Sequence, residues 1–275
     1  MVAKKKPEET VVLITGASTG IGRLTAGLLT EKGYRVYGTS RKPAADGTPY
    51  TMLQMDVTDP ASVRRAVATV LDKEKIIDVL VNNAGSGIGS AIEETDAPKA
   101  RQQFEVVLWG VWEVTKQVLP AMRQQQHGLV INISSIAGRM GLPYQGFYSA
   151  AKFALEGLSE ALSLEVKPFG IKLVLVEPGD MRTEFTSRRE WLIPENQDSP
   201  YRKQIENTRE IIDNNELKGG DPTKVSRKIY HIIKKKNPRF RYVVGKPDEK
   251  AGLWLKELLP YRWFMHILAH FYGIK

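Results

Sequence analysis

The chain has 275 residues, 42% hydrophobic and 26% charged, and its 40 Lys and Arg against 31 Asp and Glu leave a net charge of +9. Such a length supports one large core and argues against a second independent one. The absence of cysteine excludes disulfides, thiol catalysis and cysteine-bound metal, and the four histidines form no ligand set, so no metal is expected.

The N-terminus, Met1 to Pro7, is lysine-rich and has no apolar run of the signal-peptide kind, so the cytosol is the expected compartment. No stretch approaches the ~20 apolar residues of a membrane span. Val11-Val12-Leu13-Ile14 reads as a buried strand. It runs into Thr15-Gly16-Ala17-Ser18-Thr19-Gly20-Ile21-Gly22 and then into a helix-like stretch to about Lys32. Strand, glycine-rich turn and helix make a phosphate cradle. The glycines let backbone N–H groups approach a pyrophosphate, and the helix N-terminus adds partial positive charge. The spacing Gly-x3-Gly-x-Gly is neither the standard GxGxxG fingerprint nor a P-loop, which needs Gly-Lys-Ser/Thr. Placed after the first strand, it favours a dinucleotide, with Gly16, Ser18, Thr19, Gly20, Ile21 and Gly22 as its expected contacts.

A second strand, Arg35 to Thr39, is followed by Ser40, Arg41 and Lys42. An acidic residue here would accept hydrogen bonds from the adenosine ribose and select NAD. None is present, and Arg41 can meet a 2′-phosphate with a bidentate, charge-assisted contact. NADP(H) is therefore expected ahead of NAD, with Ser40 and Arg41 in contact with it. Further strands are expected over 51–55, 78–82, 128–133 and 172–177, with a last one over 240–244, and helices over 98–125 and 148–167. That alternation predicts an α/β fold, one doubly wound domain over 1–275 whose parallel sheet holds the cofactor at the carboxyl ends of its strands.

Ser135 precedes Tyr148-Ser149-Ala150-Ala151-Lys152. On a helix, positions i and i+4 share a face. The Tyr148 phenol and the Lys152 ammonium thus point into one space, where the ammonium is expected to lower the phenol pKa. A phenol tuned in this way can exchange a proton with an alcohol or ketone oxygen. From Glu184 to Gly220 the sequence is polar and broken by proline, as expected of a lid over a substrate. Asp221-Pro222 then opens a helix. The segment 249–275 mixes Trp, Phe, Leu and Tyr with Lys, Arg and His, and Pro260 divides it into two short helices. It reads first as packing on the lid or on a partner subunit, and alternatively as a peripheral contact with an anionic membrane surface. The positive charge alone would suit a nucleic-acid binder, but no binding motif accompanies it and no such partner is expected.

Taken together, these motifs resemble the short-chain dehydrogenase/reductase family up to about residue 183. Thr15 to Gly22 matches its TGxxxGxG, Asn82-Asn83-Ala84-Gly85 its NNAG, and Ser134-Ser135-Ile136-Ala137-Gly138 its serine motif. Tyr148 to Lys152 matches YxxxK, and Pro178-Gly179 with Thr183 matches the Pro-Gly turn. The stretch from Gly141 to Gly157 looks most like hydroxysteroid and retinol dehydrogenases. The resemblance implies that Tyr148 is the acid/base, that Lys152 lowers its pKa and holds the nicotinamide ribose, and that Ser135 steadies the substrate oxygen. It also implies that Asp56 and Val57 hold the adenine, that Asn83, Ala84 and Gly85 lie along the adenosine side, and that Pro178, Gly179, Met181 and Thr183 hold the nicotinamide. Asp56 could equally be a turn residue. Pairing of subunits into a homodimer or homotetramer through the helices over 98–125 and 148–167 is implied as well.

The expected activity is NADP(H)-dependent interconversion of a ketone or aldehyde and an alcohol on an apolar steroid-, retinoid- or lipid-like substrate. Met140, Leu142, Tyr144, Phe147 and Trp191 are expected around the carbonyl, together with Ser135 and Tyr148. One position departs from the family. Val107 stands where an asparagine usually holds a relay water, in an apolar stripe of Phe104, Val107, Leu108, Val111, Val114 and Val118. Two readings follow: activity retained through another group or water, which is preferred, or an NADP(H)-binding protein with little turnover.

Overall fold

A computed structural model describes residues 5–42, 47–193 and 199–274. In chain order the strands are β1 (Val11–Ile14), β2 (Arg35–Ser40), β3 (Thr51–Gln54), β4 (Val79–Asn82), β5 (Ile88–Gly89), β6 (Gly128–Ile133), β7 (Ile171–Pro178), β8 (Glu190–Trp191) and β9 (Arg241–Val244). The helices are α1 (Gly20–Glu31), α2 (Pro60–Glu74), α3 (Ala97–Phe104), α4 (Gly110–Gln125), α5 (Gly146–Glu165), α6 (Phe185–Arg188), α7 (Arg202–Leu217), α8 (Thr223–Ile233), α9 (Pro247–Leu258) and α10 (Tyr261–Phe271). Seven strands form one sheet in the order β3-β2-β1-β4-β6-β7-β9, every pairing parallel.

The side-chain period of two explains why β1 is apolar throughout. Val12 and Ile14 enter a core with Ala26 and Leu29 of α1 and Val225, Ile229 and Ile232 of α8. Val11 and Leu13 enter the opposite core, with Val63 and Val67 of α2 and Val114 and Val118 of α4. Every residue of β1 is fully buried, and each such aliphatic side chain contributes about 1.5–3 kcal/mol relative to exposure. Strand order reverses between β1 and β4, which opens a crevice at the carboxyl ends of the sheet, the place where doubly wound folds bind ligands.

Several connections follow directly from local chemistry. Asp59 caps α2 by accepting from the Ala61 N–H at 2.8 Å, with Pro60 in the first turn. The expected helix over 98–125 is interrupted. Glu105–Trp109 forms a π turn between α3 and α4, and the Gly110 N–H donates to the Glu105 carbonyl. Val107 lies buried in this turn. A separate two-stranded ribbon, β5 paired with β8, ties the loop after β4 to the start of the lid segment. The expected lid over 184–220 resolves into α6, β8 and α7, and its residues 194–198 lie outside the described ones. The tail forms two helices separated at Pro260, as its sequence predicts.

Candidate active site

The crevice at the sheet's carboxyl edge opens into a cavity of about 1830 Å³. That exceeds the ~300–1,000 Å³ of a typical single-ligand pocket and gives room for a dinucleotide beside a second molecule. All of the residues expected to touch cofactor or substrate border it except Gly22, Tyr144, Phe147 and Trp191. Gly22 sits behind the turn, where a Cβ would stand 2.3 Å from the Gly16 carbonyl oxygen, so it serves close packing of α1. Tyr144 lies in a left-handed turn, φ +56°, with its carbonyl accepting from the Ser90 N–H. Trp191 stacks over Gly89 in the β5–β8 ribbon. Ribbon pairing turns this ring away from the cavity, and periodicity could not reveal it.

The nucleotide end is built from backbone. Gly16 adopts φ +67° with Ala84 pressed against it, leaving no space for a side chain. The Asn83 amide donates to the Thr15 and Gly16 carbonyls, both at 3.0 Å, while Thr15 Oγ1 accepts from the Asn83 and Ala84 N–H groups at 2.9 Å. Asn83 therefore braces the glycine turn rather than presenting its amide to a ligand. At the mouth of α1, the Gly20 N–H donates to the Glu184 carboxylate at 3.1 Å. An anionic group already sits at this helix N-terminus, so the donors there fit a pyrophosphate. Arg41 and Lys42 border the same end, exposed, and the Arg41 guanidinium makes no ion pair among the described residues. Asp56 also borders the cavity, but its Oδ1 accepts from the Thr58 N–H and hydroxyl at 2.9 and 2.8 Å, the turn role that its sequence context allows.

At the other end β6, the turn after it and α5 bring Ser135, Tyr148 and Lys152 together. Ser135 Oγ accepts from the Ala137 N–H at 3.1 Å, which leaves its own proton to donate. Lys152 Nζ donates to the Ile133 carbonyl at 2.8 Å and stands 5.9 Å from the centre of the Tyr148 ring. Burial pushes the Lys152 amine down to about 8, a fall that the Glu156 carboxylate opposes. The expectation of a lowered phenol pKa is reversed. Burial raises Tyr148, outweighing the lowering by Ser135 and Arg189, while Glu216 and Asp180 add to the rise. Desolvation penalises the phenolate more than its neighbours favour it.

Sequence reasoning missed the polar wall opposite Tyr148. Arg189 is buried and paired with Glu216, with Asp213 at 3.8 Å, so its charge is already taken up within the protein. Asp180, next to Gly179, borders the cavity, and its carboxylate takes part in no hydrogen bond or ion pair among the described residues. Burial, then Glu249 and Glu216, push that carboxyl up to about 7. The wall also has an apolar part that comes from distant segments: Met140, Phe185, Leu255, Phe264 and Leu268. Their convergence is a matter of tertiary packing, with no local signal except the aromatic richness of the tail.

A phosphate cradle at a switch point, facing a buried Tyr–Lys pair and a serine with a free proton, defines a nucleotide-dependent oxidoreductase. The chain belongs to the short-chain dehydrogenase family, whose pattern matches residues 10–192. It is 45% identical over 265 residues to a 3-ketodihydrosphingosine reductase of Bacteroides thetaiotaomicron, covering 96% of this chain and 98% of that protein. A short-chain dehydrogenase from Streptomyces avermitilis superposes with a TM-score of 0.79 at 35% identity, over 89% of this chain and 91% of that one. A family structure from Burkholderia phymatum, solved in complex with NAD, shares the fold with a TM-score of 0.80 at 24% identity, over 92% of this chain and 94% of that one.

Proposed function

We propose that this protein reduces the ketone of a long-chain amino ketone, with NADPH preferred over NADH. A bound dihydronicotinamide would supply the hydride, and the protein's own groups do the rest. Ser135 donates to the carbonyl oxygen and steadies the charge that grows there. Tyr148, kept protonated by burial, gives its proton to that oxygen. Lys152, held by Ile133, stands beside the phenol, and its charge favours the phenolate left behind.

One observation carries the substrate class: the Asp180 carboxylate, with no hydrogen bond or ion pair among the described residues, on the wall of the cavity that also holds Tyr148. A half-buried carboxylate of this kind is completed by a cation. 3-Ketodihydrosphingosine, the compound in the relative's name, is a long-chain ketone with an ammonium beside the carbonyl, and it meets both features. This draws the reading from a steroid or retinoid ring toward an alkyl chain. Arg41 and Lys42, with no acid at the end of β2, support NADPH. Trp109, Trp112 and Phe153, exposed on the π turn, α4 and α5, support subunit pairing there.

The test is steady-state turnover of a long-chain 2-amino ketone and its analogue without the amine, each with NADPH and NADH. The amino ketone with NADPH is expected to be the best combination. Asp180→Asn is expected to raise KM for the amino ketone about tenfold or more, the loss of a charge-assisted contact, and to leave the analogue unchanged. Arg41→Ala is expected to erase the preference for NADPH. Equal loss on both ketones, or turnover confined to small charged carbonyls, would overturn the reading.

A further inference from the structure

Helix α10 borders the cavity, yet its outer surface has no part in the chemistry described so far. It carries three adjacent rows at i, i+4, i+8 spacing. Phe264, Leu268 and Tyr272 face inward, and the Gln204 side chain on α7 donates to the Tyr272 carbonyl at 3.4 Å. Beside them, Trp263, Ile267 and Phe271 are 70%, 46% and 56% exposed. Next to that row stand Arg262, His266 and His270, all exposed, and Arg262 makes no ion pair among the described residues. No Asp or Glu follows Glu257 in the sequence. Ile267 and Phe271 also belong to the cavity wall, so the exposed apolar row is continuous with the apolar lining inside.

The inner row accounts for the packing of α10, with Phe264 and Leu268 against Met140 and against Leu253 of α9, and Tyr272 against α7. The outer two rows need another explanation. An aromatic–aliphatic row flanked by an arginine and two histidines, with no carboxylate on the helix, is the chemistry of a helix lying in a membrane interface. The basic row meets anionic headgroups while the aromatic row reaches the acyl boundary. A two-fold contact between copies through this face would bring Arg262 toward its own copy with no acid on α10 to offset it. Among the described residues no helix is long and apolar enough to cross a membrane, so the contact is peripheral.

We propose that α10 docks on an anionic lipid surface through Trp263, Ile267 and Phe271, so that a long-chain ketone passes from the leaflet into the cavity without entering water. The route for substrate rests on the function proposed above, whereas the docking itself is measured without turnover. Full-length protein is mixed with vesicles of phosphatidylglycerol and phosphatidylcholine, or of phosphatidylcholine alone, and sedimented. Binding is expected only to the anionic vesicles, weakening with salt. Trp263→Ser is expected to lower the partition about tenfold by removing an interfacial aromatic anchor, and Arg262→Glu, a change of two charge units, by more than tenfold, given a roughly fivefold effect per basic charge at an anionic surface. Both positions lie outside the cavity wall, so NADPH turnover of a short, water-soluble ketone stays at the wild-type level, which separates docking from folding. Equal binding to both vesicle types, or variants that bind like wild type, would overturn the proposal. So would a lipid-free dimer that Trp263→Ser dissociates, since the row would then belong to a second copy.

Discussion

At the level of single residues, burial and charge compete at Tyr148 and Lys152, and burial wins. The YxxxK spacing identifies the pair, because it requires only helix geometry. It does not give the direction of the phenol shift, which depends on how completely the surrounding chain removes water. Both shifts act together on reduction: the phenol keeps a proton to give, and the amine, at about 8, is an ammonium below that value. For a ketone without an amine, kcat/KM is therefore expected to hold below about pH 8 and to fall above it as Lys152 loses its proton. Tyr148→Phe is expected to lower turnover about 10²–10⁴-fold at every pH. A profile that rises through this region would mean that the deprotonated pair is the active form. On stability, Lys152 acts against the fold. Its folded pKa lies below the ordinary 10.5 of a lysine, so the unfolded chain binds more protons between about 8 and 10.5. Stability contributed at this site is complete above that window and is lost as pH falls through it.

Among the elements, the α3–α4 segment is the most informative. Its apolar stripe was legible, and Val107, Val111, Val114 and Val118 are buried as helical spacing requires. The π turn was not, because a shift from i+4 to i+5 bonding leaves the composition of the stripe unchanged. Gly110 follows the turn where Val57 approaches it, and a Cβ there would meet Val57 at 2.8 Å. Val107→Asn tests whether the missing amide limits the enzyme. Burying it without an assured partner is expected to cost about 1–3 kcal/mol, read as a lower Tm. Cofactor affinity is expected to stay the same, and turnover to stay level or rise. A large loss of turnover would count against equating Val107 with the relay asparagine. Helix α5 shows the same limit: Lys152 was evident, but Glu156 one turn on, joined to Arg241 at 3.0 Å, was not.

Across the whole molecule, the cofactor end and the substrate end differ in how they are built. Gly16, Gly20 and Asn83 are neighbours of β1 and β4, whereas Phe185, Asp180 and Phe264 border one cavity only when residues 184–220 and the tail fold over the sheet. Cofactor binding is therefore expected to stabilise the fold independently of catalysis. NADPH at a hundredfold excess over its Kd is expected to add about 2.7 kcal/mol, or roughly 5–10 °C in Tm. Tyr148→Phe is expected to keep most of that shift, and a shift lost with the phenol would place the tyrosine in binding rather than in chemistry. The sequence by itself determined the succession of strands and helices along the chain, the glycine turn, the Ser135–Tyr148–Lys152 centre and the lack of an acid after β2, because each rests on local spacing or backbone conformation. Only the tertiary structure decided that Trp191 leaves the cavity, that Asp180 enters it without a partner, and that α10 closes its wall with one face in water. Those outcomes depend on which distant surfaces bury one another, and chain-local periodicity carries no record of that choice.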